Sequence, residues 1–396
     1  MKTAGIIAEY NPFHNGHSYH IAKTRELVEA THVIAVMSGN YVQRGEPAFM
    51  NKWSRAKAAL SCGVDLVLEL PTPWAMSSAE KFAAGAVSIL NQIGCVDFLS
   101  FGSECGNLED LVLTANALST PAFSLRLKEY LEKGYSFPRA REAAVTDEFG
   151  DKSALSLRTP NDTLGVEYIK ALKGKNIKPI VIERIGTHHD SITVSKEYAS
   201  SSMLRKSILD SKSLTLCQNL LPNCSYDIIS TAFMQGTAPA KISDIAVLSR
   251  LRMMSAEELE KLPDVSEGLH IRLYNAIREA ITIEELYTLT KTKRYTHSRI
   301  RRLVMAAFLN MNADIGKGLP PYCRILGFNQ KGAELLKAAK KTTSLPIITR
   351  TTAIAELEND AKAVFEFENR ATDLFSLLTP TPLPCGLEYT TSPIRV

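Results

Sequence analysis

The sequence predicts an α/β fold: a parallel sheet with helices on both faces, followed by a mainly α-helical domain. Three observations carry that reading. Short apolar runs alternate with helix-spaced segments through the first half of the chain. Several runs end in Gly, Ser or Asn, where a buried strand feeds a turn. Beyond about residue 225 the pattern becomes helical.

Residues 6–9, 33–37, 66–69, 98–101 and 180–185 read as buried strands, because they are short and rich in Ile, Val, Leu or Phe. Ser77 and Glu80 match a capping box, with Phe82, Ala86, Ile89, Leu90 and Ile93 at helical spacing behind it and Gly94 as the stop. An insertion at about 106–178 is helical in pattern and basic in places (Arg139, Arg141, Lys152, Arg158), which suits a side lobe of a site. Further on, Leu269, Leu273, Ala276, Ile277, Ala280 and Ile281 form one apolar face, and Ile300, Leu303, Val304, Ala307, Phe308 and Met311 another. Leu357, Ala361, Val364, Ala371, Phe375 and Leu378 line a last long helix, closed by Pro380, Pro382 and Pro384. These segments divide the chain into 1–225 and 226–396.

Length and composition exclude several classes. With 396 residues, 45% hydrophobic and 22% charged, the chain has enough material for two or three packed domains and lies outside the disordered range. No run approaches the length of a membrane span, and the N-terminal apolar run stops at Glu9, too short for a signal peptide. Seven scattered cysteines without a C-x-x-C predict reduced thiols in a cytoplasm, with no disulfide framework or zinc site. His188, His189 and Asp190 lack a complete ligand set, so no metal site is expected. Asp360, Glu366 and Glu368 read as exposed helix charges, and Trp53 and Trp74 as packing residues.

The strongest chemical signal follows the first strand: Asn11, Pro12, Phe13, His14, Asn15, Gly16, His17. Two imidazoles three residues apart stand where a helix begins, and a helix N-terminus favours phosphate. Such donors stabilise charge building on a phosphoryl group. After the fifth strand come Ser200, Ser201, Ser202 and, one turn on, Arg205. Hydroxyls at a helix start either cap it or bind phosphate, and Arg205 supplies a fork donor for the same oxygens. A third feature is basic: Lys291, Lys293, Arg294, Arg299, Arg301 and Arg302 fall within twelve residues with no acid among them, beside Tyr295. Such a run is either a solvated helix face or a phosphate-binding strip, with Tyr295 as a base-stacking ring.

His14 and His17 fit the H-x-G-H motif of the nucleotidylyltransferase superfamily, and residues 199–205 resemble its I-S-S-T-x-I-R signature. Five further stretches resemble the bacterial tRNA(Met) cytidine acetate ligases: residues 5–17, 37–48, 101–104, 160–165 and 291–302. The resemblance spans the full length and implies a Rossmann-like nucleotidylyltransferase domain with a helical tRNA-binding domain. It implies that ATP and acetate give acetyl-adenylate, whose acetyl passes to the wobble cytidine of elongator tRNA(Met). It also implies an ATP pocket of Ile7, Ala8, Glu9, Tyr10, Asn11, Pro12, Phe13, His14, Asn15, Gly16, His17, Ser18, Tyr19 and His20, completed by Gly102, Asn161, Arg184 and the three serines. His14, His17 and Arg205 would be catalytic, with Mg²⁺ on the phosphates. Acetate is already a carboxylate at neutral pH, so its activation requires no general base. Two rival readings share parts of this pattern: an adenylyltransferase for a small phosphorylated cofactor precursor, and a non-enzymatic RNA-binding protein.

Overall fold

The five apolar runs become the parallel strands of one sheet. A computed structural model describes residues 1–184, 198–266, 268–350 and 352–396. Its strands are β1 (Thr3–Ala8), β2 (His32–Ser38), a hairpin of β3 (Tyr41–Val42) and β4 (Glu46–Pro47), β5 (Leu66–Leu70), β6 (Phe98–Ser103) and β7 (Lys178–Glu183). The second half adds β8 (Cys323–Phe328), β9 (Ile347–Ile348) and β10 (Ile394–Arg395). The main sheet runs β10-β8-β5-β2-β1-β6-β7, with β9 beside β8. β1 lies between β2 and β6, so the connections turn to opposite sides there. The crevice at that switch point is where α/β sheets accept nucleotides.

Alternate side chains serve opposite faces. Ile6, Val33, Ala35 and Val67 pack with Ile21, Trp53, Ala56 and Leu60, which lie on α1 (Asn15–Val28) and α2 (Lys52–Ser61). Ile7, Ile34, Leu66 and Leu68 pack with Phe82, Ala86, Ile89 and Leu90 of the helix Ala79–Gln92. That helix starts one residue later than the capping box implied. Ser78 caps it by accepting from the backbone N of Lys81, while Ser77 Oγ donates to Trp74 O at 2.6 Å. The 106–178 insertion is helical, as expected. The later helices share a core of Leu251, Leu273, Ile277, Leu286, Leu303, Phe308 and Phe375. Ile281, assigned to that face by periodicity, is instead 74% exposed, because its helix ends at Glu279.

The structure corrects three expectations here. Helical periodicity after residue 225 concealed β8, which pairs antiparallel with β5 and closes the edge of the parallel sheet. Cys62 and Cys224 form a disulfide joining the end of α2 to the helix Asn223–Met234, where all thiols were expected reduced. Glu368, expected at the surface, is 1% exposed and accepts from Thr72 N at 2.6 Å. It belongs to a buried charge network in which Lys52 pairs with Glu69 at 2.6 Å and with Glu388, and Arg324 pairs with Glu388. Burial raises the Glu368 carboxyl to about 8, with Glu69 and Glu388 adding to the rise and Lys52 opposing it. Residue 185 and the His188–His189–Asp190 group lie outside the described residues.

Candidate functional site

The turn after β1 is built to aim two imidazoles. His14 is the N-cap of α1: its Nδ1 accepts from Gly16 N at 3.1 Å, and its own backbone N donates to His17 Nδ1 at 3.2 Å. Histidines thus fill both positions of a reciprocal capping box. The rings stack with centroids 3.8 Å apart. Each Nδ1 is occupied as an acceptor, so each neutral ring carries its proton on Nε2. Burial, then the nearby Arg184 guanidinium, pushes His14 down to about 3 and His20 to about 4; burial, then His14, holds His17 well below its ordinary value. The rings are therefore neutral N–H donors beside a positive helix terminus.

Other elements brace the turn from behind. Tyr10 adopts φ +45°, a costly conformation for an aromatic residue, and its ring packs on Phe13 and His17, each at 4.9 Å. Asn11 Oδ1 accepts from Phe49 N at 2.6 Å, and Phe13 O accepts from Ser225 Oγ at 2.8 Å. Arg205 donates to Asn11 O at 2.7 Å. Arg55, fully buried, donates to the carbonyls of Glu9, Gly39 and Met50. Glu9 accepts from Gln43 N at 3.0 Å, which brings the β3–β4 hairpin over the site.

These parts open onto one cleft of about 1250 Å³. It is lined by Ile7, Ala8, Glu9, Tyr10, His14, Gly16, His17, Tyr19, His20, Gly102, Asn161, Arg184, Ser200, Ser201, Ser202 and Arg205. Asn11, Pro12, Phe13, Asn15 and Ser18, from the same expected pocket, are not part of the wall; Asn11 to Phe13 are buried behind it. Ser200 caps the helix Ser201–Ser211 by accepting from Met203 N at 3.2 Å, so its acceptor is already engaged. Of the basic insertion residues, Arg141 and Arg158 reach the cleft and Arg139 and Lys152 do not.

The basic strip meets the same cleft. Arg294, Arg299, Arg301 and Arg302 line it, whereas Lys291, Lys293 and Tyr295 do not. Its acids come from elsewhere in the chain: Arg301 pairs with Glu46 at 2.5 Å, and Arg302 with Asp264 at 3.6 Å. Arg299 donates to Asp264 O at 2.7 Å and Ser266 Oγ at 2.6 Å. Tyr295 is corrected: it is 6% exposed within the helical core, and Arg299 lies over its ring at 5.2 Å, so no face is open for a base. Lys291 Nζ is turned inward onto Tyr295 O at 2.7 Å. Sequence reasoning missed the hairpin as a bridge. At Gly45, φ is +76° and an added Cβ would lie 2.4 Å from the backbone N of Arg302, so the hairpin presses directly on the helix His297–Phe308.

A family model described as HIGH Nucleotidyl Transferase matches residues 1–385. The chain is 42% identical to the tRNA(Met) cytidine acetate ligase of Caldanaerobacter subterraneus subsp. tengcongensis, over 95% of both chains. It is 40% identical to the protein of that name from a Thermoanaerobacter species, over 98% of both. The chain belongs to the tRNA(Met) cytidine acetate ligase family. The crystal structure of Thermotoga maritima TmcAL bound with alpha-thio ATP is similar over 100% of both chains, with 34% identity and a TM-score of 0.93. The family assignment makes the chain a ligase built on a nucleotidyltransferase fold. No helix among the described residues is long and apolar enough to cross a membrane.

Proposed function

We propose that this protein is an ATP-dependent tRNA(Met) cytidine acetate ligase acting in the cytoplasm. One observation carries the reading: phosphate donors at the start of α1 and arginines of the helix His297–Phe308 face a single cleft. An acetate oxygen attacks the α-phosphorus of ATP, forming a P–O bond as the α–β bridge breaks and pyrophosphate leaves. The neutral His14 and His17 Nε2–H groups donate to oxygens that gain charge in that step. The N4 amine of the wobble cytidine of elongator tRNA(Met) then attacks the acetyl carbon. A C–N bond forms, the acyl–phosphate C–O bond breaks, AMP departs with the electron pair, and N4 releases one proton to water. The adenylate is labile in water, and binding both substrates in one cleft would shorten the time it is exposed before transfer.

Among the described residues, no three His, Cys, Asp or Glu side chains cluster as metal ligands. Mg²⁺ would accompany the triphosphate and neutralise charge on its oxygens, and no protein step is routed through it. Ile7, Glu9, Tyr10, Gly16, Gly102, Asn161 and Arg184 are assigned to ATP. Arg294, Arg299, Arg301 and Arg302 are assigned to tRNA phosphates, with Lys293 beside them. Incubation with ATP, labelled acetate and bulk tRNA tests the reading: N4-acetylcytidine should form in elongator tRNA(Met). Pyrophosphate release without acetate, with the adenylyl group passing to a small phosphorylated acceptor, would favour a cofactor adenylyltransferase instead.

A further inference from the structure

Beyond β6 the chain continues through Glu104 and Cys105, and the helix Pro160–Leu172 begins beside it. The two segments cap each other. Buried Asp162 accepts from Ser103 Oγ, from Glu104 N at 2.8 Å, from Cys105 N at 3.2 Å and from Thr159 Oγ1 at 2.8 Å. Glu104 completes the exchange with both oxygens. Its Oε2 accepts from Asp162 N at 3.0 Å and its Oε1 from Asn161 Nδ2 at 2.5 Å.

This arrangement dictates how Asn161 is turned. An amide side chain carries a donor and an acceptor, while an ionised carboxylate only accepts. Turning Oδ1 toward Glu104 would set two acceptors face to face, so Nδ2 is committed to Glu104. Oδ1 then accepts from none of the described residues, and Asn161 lines the cleft. We infer that Glu104 is a positioning residue that fixes Asn161 as an acceptor for the exocyclic amino group of a nucleobase. The inference rests on the function proposed above and adds to it a rule for which bases the cleft takes.

Adenine and cytosine both carry such an amine; hypoxanthine and uracil carry a carbonyl oxygen in its place. A carbonyl opposite Oδ1 leaves two acceptors facing each other, which costs more than a missing bond. β6 neighbours β1 at the switch point. A nucleoside whose phosphates lie at the start of α1 therefore extends toward Asn161, which makes adenine the favoured base.

Acetate-dependent pyrophosphate exchange with ATP and with inosine triphosphate tests this in wild type, Glu104→Gln, Asn161→Ala and the double variant. Glutamine matches glutamate in shape, yet it cannot accept from both Asn161 Nδ2 and the Asp162 N–H. The ratio of kcat/KM for ATP over inosine triphosphate should fall about tenfold in Glu104→Gln. Asn161→Ala should reach a similar ratio and the double variant fall no further, because both changes remove one interaction. In parallel, anticodon-loop RNA carrying cytidine or uridine at the acceptor position is titrated against the same proteins. A fall in the cytidine preference with an unmoved ATP ratio assigns the acceptor to the RNA base. Equal losses for every substrate, with both ratios unmoved, would make Glu104 purely structural and overturn the inference. Wild-type protein lacking acetate-dependent exchange would refute the proposed function instead.

Discussion

Arg205 donates to the carbonyl oxygen of Asn11 at 2.7 Å, joining the second phosphate motif directly to the turn that carries the first. Its other terminal nitrogen is 3.4 Å from Ser202 Oγ. The guanidinium thus both braces the histidine turn and lines the cleft. Arg205→Ala should weaken binding of a non-hydrolysable ATP analogue by roughly 10- to 100-fold, the worth of a charged hydrogen bond. Arg205→Lys keeps the charge and should lose less. Unchanged affinity in the alanine variant would reduce Arg205 to a brace.

His14 both caps α1 and presents an Nε2–H, and the two roles separate by substitution. His14→Asn retains a side-chain acceptor for the cap, so its melting temperature should stay near wild type. Turnover should nevertheless fall by about 10²–10³, as on removal of one transition-state donor. His14→Ala should lose both. Near-normal acetate-dependent exchange in His14→Asn and His17→Ala would sink the assignment.

The histidines of this turn, His14 buried and His17 and His20 partly so, also predict a pH dependence. Folding lowers their pKa values from 6.5, to about 3 for His14 and about 4 for His20. Below pH 6.5 the unfolded chain takes up protons that the folded chain refuses. The nucleotide-free protein should then lose about 1.4 kcal/mol per pH unit for each such ring between pH 6 and 4. Urea midpoints at pH 7 and pH 5 measure this, and His20→Gln should make the decline shallower. Equal losses in both proteins would contradict a neutral His20 ring.

Lys52 is the cation around which Glu69, Glu368 and Glu388 gather, and it is fully buried. Lys52→Met keeps the volume but leaves Glu69 without its ion-pair partner and Glu388 with Arg324 alone. It should cost about 3–5 kcal/mol of stability in a denaturant titration. A loss below 1 kcal/mol would mean that protonation of the acids absorbs the change.

Lys293 and Arg294 are exposed, whereas Arg299 and Arg302 are bound to the Asp264 loop. Replacing Lys293 and Arg294 by Ala should lower tRNA affinity and flatten its log-log salt dependence by about 0.7–0.9 for each lost contact. Acetate-dependent exchange should change less than acetyl transfer. Arg301→Ala should disturb both half-reactions, because its partner Glu46 belongs to the hairpin that holds Glu9 through Gln43. Wild-type affinity and slope in the double variant would move the RNA to another face.

The parallel strands were legible because strands covered on both sides are near-continuous apolar runs, as in 33–37 and 66–68. The histidine turn was legible because its signal is local: His14 and His17 cap one another within a single helical turn. What escaped depends on distant partners. Glu368 looks like any helix carboxylate until Thr72 is beside it, 296 residues away in sequence. Tyr295 and Arg299 carry no mark of stacking on each other rather than on a base. β8 holds Arg324 and Gly327 within six residues, which breaks the apolar run that would announce a strand. Glu104 and Asn161 were within reach as neighbouring motifs, but only the fold shows that one sets the other's orientation.

The β5–β8 pairing has a consequence for how the enzyme is made. Leu66 is paired with Phe328, so the edge of β5 lies open on the ribosome until almost the whole polypeptide has emerged. An unpaired, mostly apolar edge, broken only by Glu69, invites association with other nascent chains. The closing strand is antiparallel and is followed by β10, which adds a further strand outside it. A fragment ending at the basic helix would therefore carry every residue assigned to phosphate and still expose the β5 edge of its sheet. Residues 323–396 cover that edge, so messages truncated before them should yield insoluble protein rather than an RNA-blind enzyme.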